Sequence, residues 1–361
     1  MEIKNLINWL KEKDLLNIVI ANYPFFEEIL INNLDAKNFK NDIIIISDLG
    51  KEGYRIPALI SSCYLFAAKS LGLEANFIHW CNEKNRDEKQ IVSKLLEIKD
   101  KSIIILSSSK KILLFSLIGR SLRNHAKIKK HKFITMTNLL YLRNELFPSL
   151  VYSMRADPKK MHNIGLKLKK KLDKAKIVRI KTKKGTDLIV KKNNVKAKIN
   201  SGLYHEFGKG GNLPAGEVYF YPEGFSNVNG VVFIDGSVKT YKGTMPVRGK
   251  VKITIKDGLI EKIEGTQEAK YLAETLEKSM KTSKNPENVK RISEIGIGIN
   301  PNSRLIGPTI VDEKALNTAH VANGSNHWFD GPIKTNIHLD HVFRDPEIYL
   351  DDSNENILKK Y

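Results

Sequence analysis

Between residues 42 and 140 the chain alternates short apolar runs with stretches of helical spacing. DIIIIS (42–47), ANFIHW (75–80), SIIILS (102–107) and KFITMT (132–137) are short and rich in β-branched or aromatic residues. Runs of that length and composition predict buried strands. The stretches between them, near 54–72, 86–98 and 109–123, carry helical periodicity. Strands alternating with helices predict a mostly parallel sheet covered on both faces. Residues 14–36 read as one further strand and helix, LLNIVIA followed by PFFEEILINNL. The opening MEIKNLINWLKEKD has no uninterrupted apolar stretch and no small-residue cleavage site, so it reads as an ordinary helix rather than a signal peptide. The expectation is an N-terminal α/β, Rossmann-like scaffold domain over 1–155.

Beyond that point the texture changes. Asp157 to Lys174 reads as a connecting helix. KIVRIKTKKGTDLIVKK (176–192) reads as a hairpin around Lys184–Gly185, and β character continues to about 265. Asp257–Gly258 between two alternating runs is a strong hairpin signal. A helix follows over 268–280. The stretch 292–350 is glycine-rich, lacks a clear period, and holds most of the polar residues capable of chemistry. Residues 156–361 are therefore expected to form a β-rich α+β metal-binding domain.

Composition narrows the choices. At 361 residues the chain is long enough for two cores. Apolar residues make up 41% and charged residues 28%, and no apolar run approaches the roughly 18 residues of a membrane span. Cys63 and Cys81 read as buried free thiols of a reducing compartment, which makes the cytoplasm the expected location. The net charge of +20 comes from lysines spread along the chain. The densest stretch, Lys159 to Lys198, has no interleaved aromatics to stack on bases, so a solvated basic surface is expected rather than a nucleic-acid partner. DLGKEGYR (48–55) has only Gly50 and Gly53, too few for a G-x-G-x-x-G pyrophosphate cradle, so no dinucleotide is expected.

Of nine histidines, His320, His327, His338 and His341 crowd into one short segment. The sharpest unit is Ile337-His338-Leu339-Asp340. In a strand, residues two apart share a face, so His338 and Asp340 would stand side by side while Ile337 and Leu339 pack inward. His320 lies in NTAHVANGSNHWFDG, where Ala319, Ala322 and Gly324 permit close approach. A third ligand from this separate segment would complete a facial set that zinc or non-haem iron accepts. Glu217 and Glu294 are lone carboxylates inside apolar, strand-like runs. Each is either a buried carboxylate, which must be paired or metal-bound, or a glutamate at a strand end facing water.

These segments together resemble the M29 peptidases, the thermophilic aminopeptidase T group. The matching strings are RADPKKM (155–161), KGTDLIV (184–190), NLPAGEVYFYPEG (212–224), ISEIGIGINP (292–301), NTAHVANGSNHWF (317–329) and IHLDHV (337–342). The resemblance implies a homodimeric hydrolase whose two divalent ions (zinc, cobalt or manganese) activate a water to cleave an N-terminal peptide or related amide bond. It makes Glu217, Glu294, His320, His338 and Asp340 metal ligands, with Glu217 and Glu294 also serving catalysis. Glu313 matches a further acidic ligand, although its spacing to His320 is longer than in the founding members. One position departs from the pattern: His327, followed by Trp328, stands where the aminopeptidases carry a tyrosine proposed to assist catalysis. His327 is thus a catalytic candidate and also the point at which peptide cleavage is in doubt. The same superfamily includes an iron-dependent dioxygenase that opens a dihydroxypyridine ring. The alternative expectation is therefore a mononuclear Fe(II) ring-cleaving dioxygenase using His320, His338 and Asp340. A non-catalytic binding protein using the basic surface is a third.

Overall fold

The computed structural model describes residues 3–37, 39–80, 93–94, 96–110, 118 and 121–359. The chain forms two compact units, one of residues 1–158 with 202–213, the other of 159–201 with 214–361. Most of the expected helices near 109–123 and 86–98, with Cys81, lie outside the described residues. Among the described residues no helix is long and apolar enough to cross a membrane.

The first unit is built on a parallel sheet. Its strand order is Ala75–His79, Ile43–Ser47, Ile103–Ser107, Lys132–Met136 and Gly210–Asn212. Ile43–Ser47 and Ile103–Ser107 are buried at every position, which is why they read as unbroken apolar runs. Helix Ile56–Ser70, with Pro57 in its first turn, is almost wholly buried. The N-terminal helix occupies Ile3–Glu12. The strand expected from LLNIVIA does not form: Leu16–Leu34 is one helix with Pro24 inside it. Val19, Phe26, Leu30 and Leu34 are buried at spacings of seven and four, a helical stripe that overrides the β preference of Ile and Val. Asp48, at the end of Ile43–Ser47, accepts hydrogen bonds from the N–H groups of Gly50 and Ser109, so this turn is closed by the chain's own groups.

The second unit opens with helix Pro158–Leu172. Two antiparallel sheets follow. One has the order Leu259–Gly265, Val251–Lys256, Val228–Ile234, Asp187–Lys191, Ile177–Lys181 and Glu347–Leu350. Both expected hairpins are present. Gly185 turns with φ +104°, and Asp257 and Gly258 both take positive φ, as a two-residue hairpin turn requires. The other sheet runs Gly243–Pro246, Ser237–Thr240, His338–Arg344, Thr318–Gly324, Ile292–Gly298, Glu217–Phe220 and Lys198–Asn200. Ile292–Gly298 and Thr318–Gly324 are buried throughout, hence the missing alternation in the sequence. The architecture is a parallel α/β unit together with a β-rich unit.

Candidate metal centre

Strand pairing decides which side chains meet. Glu294 lies opposite Ala322, and Ala322 opposite Asp340. Gly296 lies opposite His320, Gly324 opposite His338, and Gly298 opposite Glu217. Directly opposed residues share a face, so Glu217, Glu294, His320, His338 and Asp340 all project from one side of the sheet. Each has a glycine or alanine opposite it on one neighbouring strand, which leaves room above the backbone there, while Val342 also faces His320 and Asn200 faces Glu217. A bulge at Ser293 sets the phase. Extending the Ile292–Asn323 pairing without it would bring Glu294 opposite Val321, on the other face.

All of these donors except His338 are nearly fully buried; Glu217 and Glu294 are each only 6% exposed. The reading of either glutamate as a strand-end residue facing water does not hold. The His320 Nε2 lies 3.4 Å from Glu294 Oε1 and 3.8 Å from Glu217 Oε2. The His338 Nε2 lies 2.9 Å from Asp340 Oδ1 and 3.6 Å from Glu294 Oε2. Among the described residues two groups have donor atoms within 4.8 Å of one another: Glu217, Glu294 and His320, and Glu294, His338 and Asp340. Glu294 is common to both and links His320 to the His338–Asp340 pair.

The donor chemistry suits a divalent ion. His338 Nδ1 lies 2.9 Å from the Ser325 carbonyl, so it carries a hydrogen and donates it, which makes Nε2, on the carboxylate side, the nitrogen that a metal would take once its proton is displaced. His320 Nδ1 has no hydrogen-bond partner among the described residues. Burial works against a charged His320, but the Glu294 hydrogen bond and the charges of Glu313, Asp340 and Glu294 outweigh it and raise its pKa to about 9. His338 is likewise raised against the effect of burial, chiefly by Asp340. Asp340 is held well below the usual carboxylate range by His338, again against burial. The same anionic field that holds protons on these imidazoles favours a metal ion in their place.

Lys314, which the sequence did not single out, stands beside the donor cluster. Its ammonium is buried, 2.5 Å from Glu217 Oε1 and 2.6 Å from Glu313 Oε1. Burial alone would lower its pKa; Glu217 and Glu313 raise it instead, so the side chain stays charged. Glu313 is close to the cluster but is taken up by this ion pair, and it belongs to neither donor group. The adjacent Glu-Lys in VDEKALNTAH was the available signal, and it reads as an ordinary surface pair. Asn300 fixes this corner. Its side chain donates to the Ala215 carbonyl, while its backbone N–H donates to the Lys314 carbonyl.

His327 sits on an exposed turn, its Nδ1 2.8 Å from Ser325 Oγ, and belongs to neither donor group. The ring of its neighbour Trp328 packs edge-on against His338, with centroids 4.8 Å apart. His341 points to the other face and bonds Asn323 Oδ1 at 2.8 Å; burial lowers its pKa to about 4. Lys239 follows Val238, which pairs with His341, so it stands on the donor face beside Asp340.

Fold and site together define a chain built around a buried carboxylate–imidazole centre for a divalent metal. A family model described as "NicX: 2,5-dihydroxypyridine 5,6-dioxygenase" matches residues 40–359, and the chain belongs to that family. A curated 2,5-dihydroxypyridine 5,6-dioxygenase from Pseudomonas putida KT2440 is 28% identical over 194 residues. That match covers 50% of this chain and only 53% of the relative. The solved structure of the 2,5-dihydroxypyridine dioxygenase from Pseudomonas putida KT2440 superposes with a TM-score of 0.69, 18% identity, and coverage of 92% of this chain and 94% of that one; at this identity the likeness is one of fold.

These findings correct the assignment to the M29 peptidases, and with it the two-ion metallo-aminopeptidase and its peptide or small-amide substrate. Motifs such as His-x-Asp and a lone buried glutamate encode donor atoms, and donor atoms serve more than one reaction.

Proposed function

We propose that this chain is a mononuclear non-haem Fe(II) dioxygenase that opens a dihydroxylated pyridine ring, with His320, His338 and Asp340 holding the iron. The observation that carries this reading is the convergence of two imidazoles and a buried aspartate on one sheet face, in a member of the dihydroxypyridine dioxygenase family. Two histidines and one carboxylate leave coordination positions open, the set that non-haem Fe(II) oxygenases use. Bound there, Fe(II) supplies the redox chemistry by which both atoms of O2 enter the ring-opened product, so no outside reductant is consumed.

The protein's own groups do the rest. Glu294, between the two imidazoles, accepts the proton of the ring hydroxyl as substrate binds. Lys239, on the same face, balances the resulting anion. Trp328 bounds the site beside His338 and offers a flat apolar wall to an aromatic ring. Burial of the donors excludes water and strengthens each of these contacts.

The test is oxygen uptake by protein reconstituted anaerobically with Fe(II) and then given 2,5-dihydroxypyridine. One O2 consumed per ring lost, followed by the fall in aromatic absorbance, is the expected result. Fe(II)-loaded protein that consumes no oxygen with this or related dihydroxypyridines would overturn the reading.

A further inference from the structure

The two donor groups sharing Glu294 have the layout of a dinuclear site with a bridging carboxylate. Lys314 stands at one end of it. Its ammonium is 1% exposed and lies between Glu217 and Glu313, at 2.5 and 2.6 Å. We infer that Lys314 is a built-in cation that restricts this centre to a single divalent ion, an inference that rests on the metal-centre reading above.

The argument is one of occupancy and charge. Glu217 turns Oε1 to Lys314 and only Oε2 toward His320. A second ion bound at Glu217 Oε2 would share that carboxylate with the ammonium, the two cations standing on its opposite oxygens. Like charges that close, in a site shielded from water, repel strongly. Lys314 cannot swing away, because an unpaired buried ammonium is itself strongly disfavoured. It is also held by its backbone: its N–H donates to the Val311 carbonyl, and its carbonyl accepts from Asn300. His320, His338 and Asp340 make no ion pair with Lys314, so they remain the metal position. Lys314 is thus a positioning residue. It keeps Glu217 and Glu313 off the metal and leaves one ion with open sites, where a second would favour hydrolytic chemistry.

The experiment counts ions. The parent chain, Lys314→Arg and Lys314→Met are stripped, titrated anaerobically with Mn(II), and read by calorimetry and elemental analysis. One ion per chain is expected for the parent and Lys314→Arg, and two for Lys314→Met. Two tight ions in the parent, or a folded Lys314→Met that saturates at one, would overturn the inference and leave the metal centre standing. No ion in the parent would sink the metal-centre reading itself. If Lys314→Met does not fold, the double variant Lys314→Met, Glu313→Gln removes the ammonium together with one partner charge. It also frees Glu217 and is expected to take two ions; one ion in that folded variant counts against the proposal.

Discussion

Gly296 lies directly across the sheet from His320, and a Cβ at position 296 would fall 2.0 Å from the imidazole Cε1. The histidine ring is laid over a backbone position where a side chain would stand. Space rather than backbone conformation requires glycine here.

Gly296→Ala should therefore push His320 off its position. Overpacking of a filled interior typically costs about 1–3 kcal/mol, so the melting temperature should fall. Metal affinity should drop at least about tenfold, because displacing a donor is no milder than disturbing its supporting shell. Calorimetric metal titration beside a thermal melt checks both. Unchanged affinity would mean that His320 is not a ligand.

His338→Ala and Asp340→Ala should each bring bound metal to background and cut turnover by more than about 100-fold. Elemental analysis after metal loading and oxygen uptake give the two readouts. A variant that retained stoichiometric metal would remove its residue from the ligand set.

Lys239→Met should weaken substrate capture without touching the metal. KM for a dihydroxypyridine should rise roughly tenfold, about 1.4 kcal/mol, with kcat little changed, the pattern of lost uniform binding. Metal content should match the parent. A fall in kcat at constant KM would contradict this role.

His131 should make a contribution to stability that is lost as the medium is acidified. His131 is buried and accepts a hydrogen bond from the Ser102 N–H at Nδ1. Burial, then the neighbouring His125, lowers its pKa from 6.5 to about 4. Between those values the unfolded chain binds more protons than the folded one. The neutral ring's contribution is thus complete above about pH 6.5 and lost as pH falls toward 4. Groups such as His320, whose pKa is raised, titrate in the opposite sense but are common to parent and variant, so the loss of urea midpoint caused by His131→Gln should be largest near pH 7 and shrink toward pH 5. A parent–variant difference independent of pH between 7 and 5 would refute it.

Whatever depends on neighbours along the chain is legible in the order of residues. Unbroken apolar runs marked the buried parallel strands, Asp257–Gly258 marked its hairpin, and the two-residue period put His338 beside Asp340. The candidate donors could likewise be read from residue type. Tertiary structure decided what depends on partners far away in the chain. Residues 16–34 form a helix because a buried stripe outweighs local β preference. Glu294 joins the site because a single extra residue at Ser293 shifts its pairing with a strand that comes later in the chain. Lys314 reaches Glu217, nearly a hundred positions earlier, and turns an ordinary Glu-Lys pair into a buried cation. Strand register and charge placement are set by long-range packing, and the residues that encode them carry no local mark.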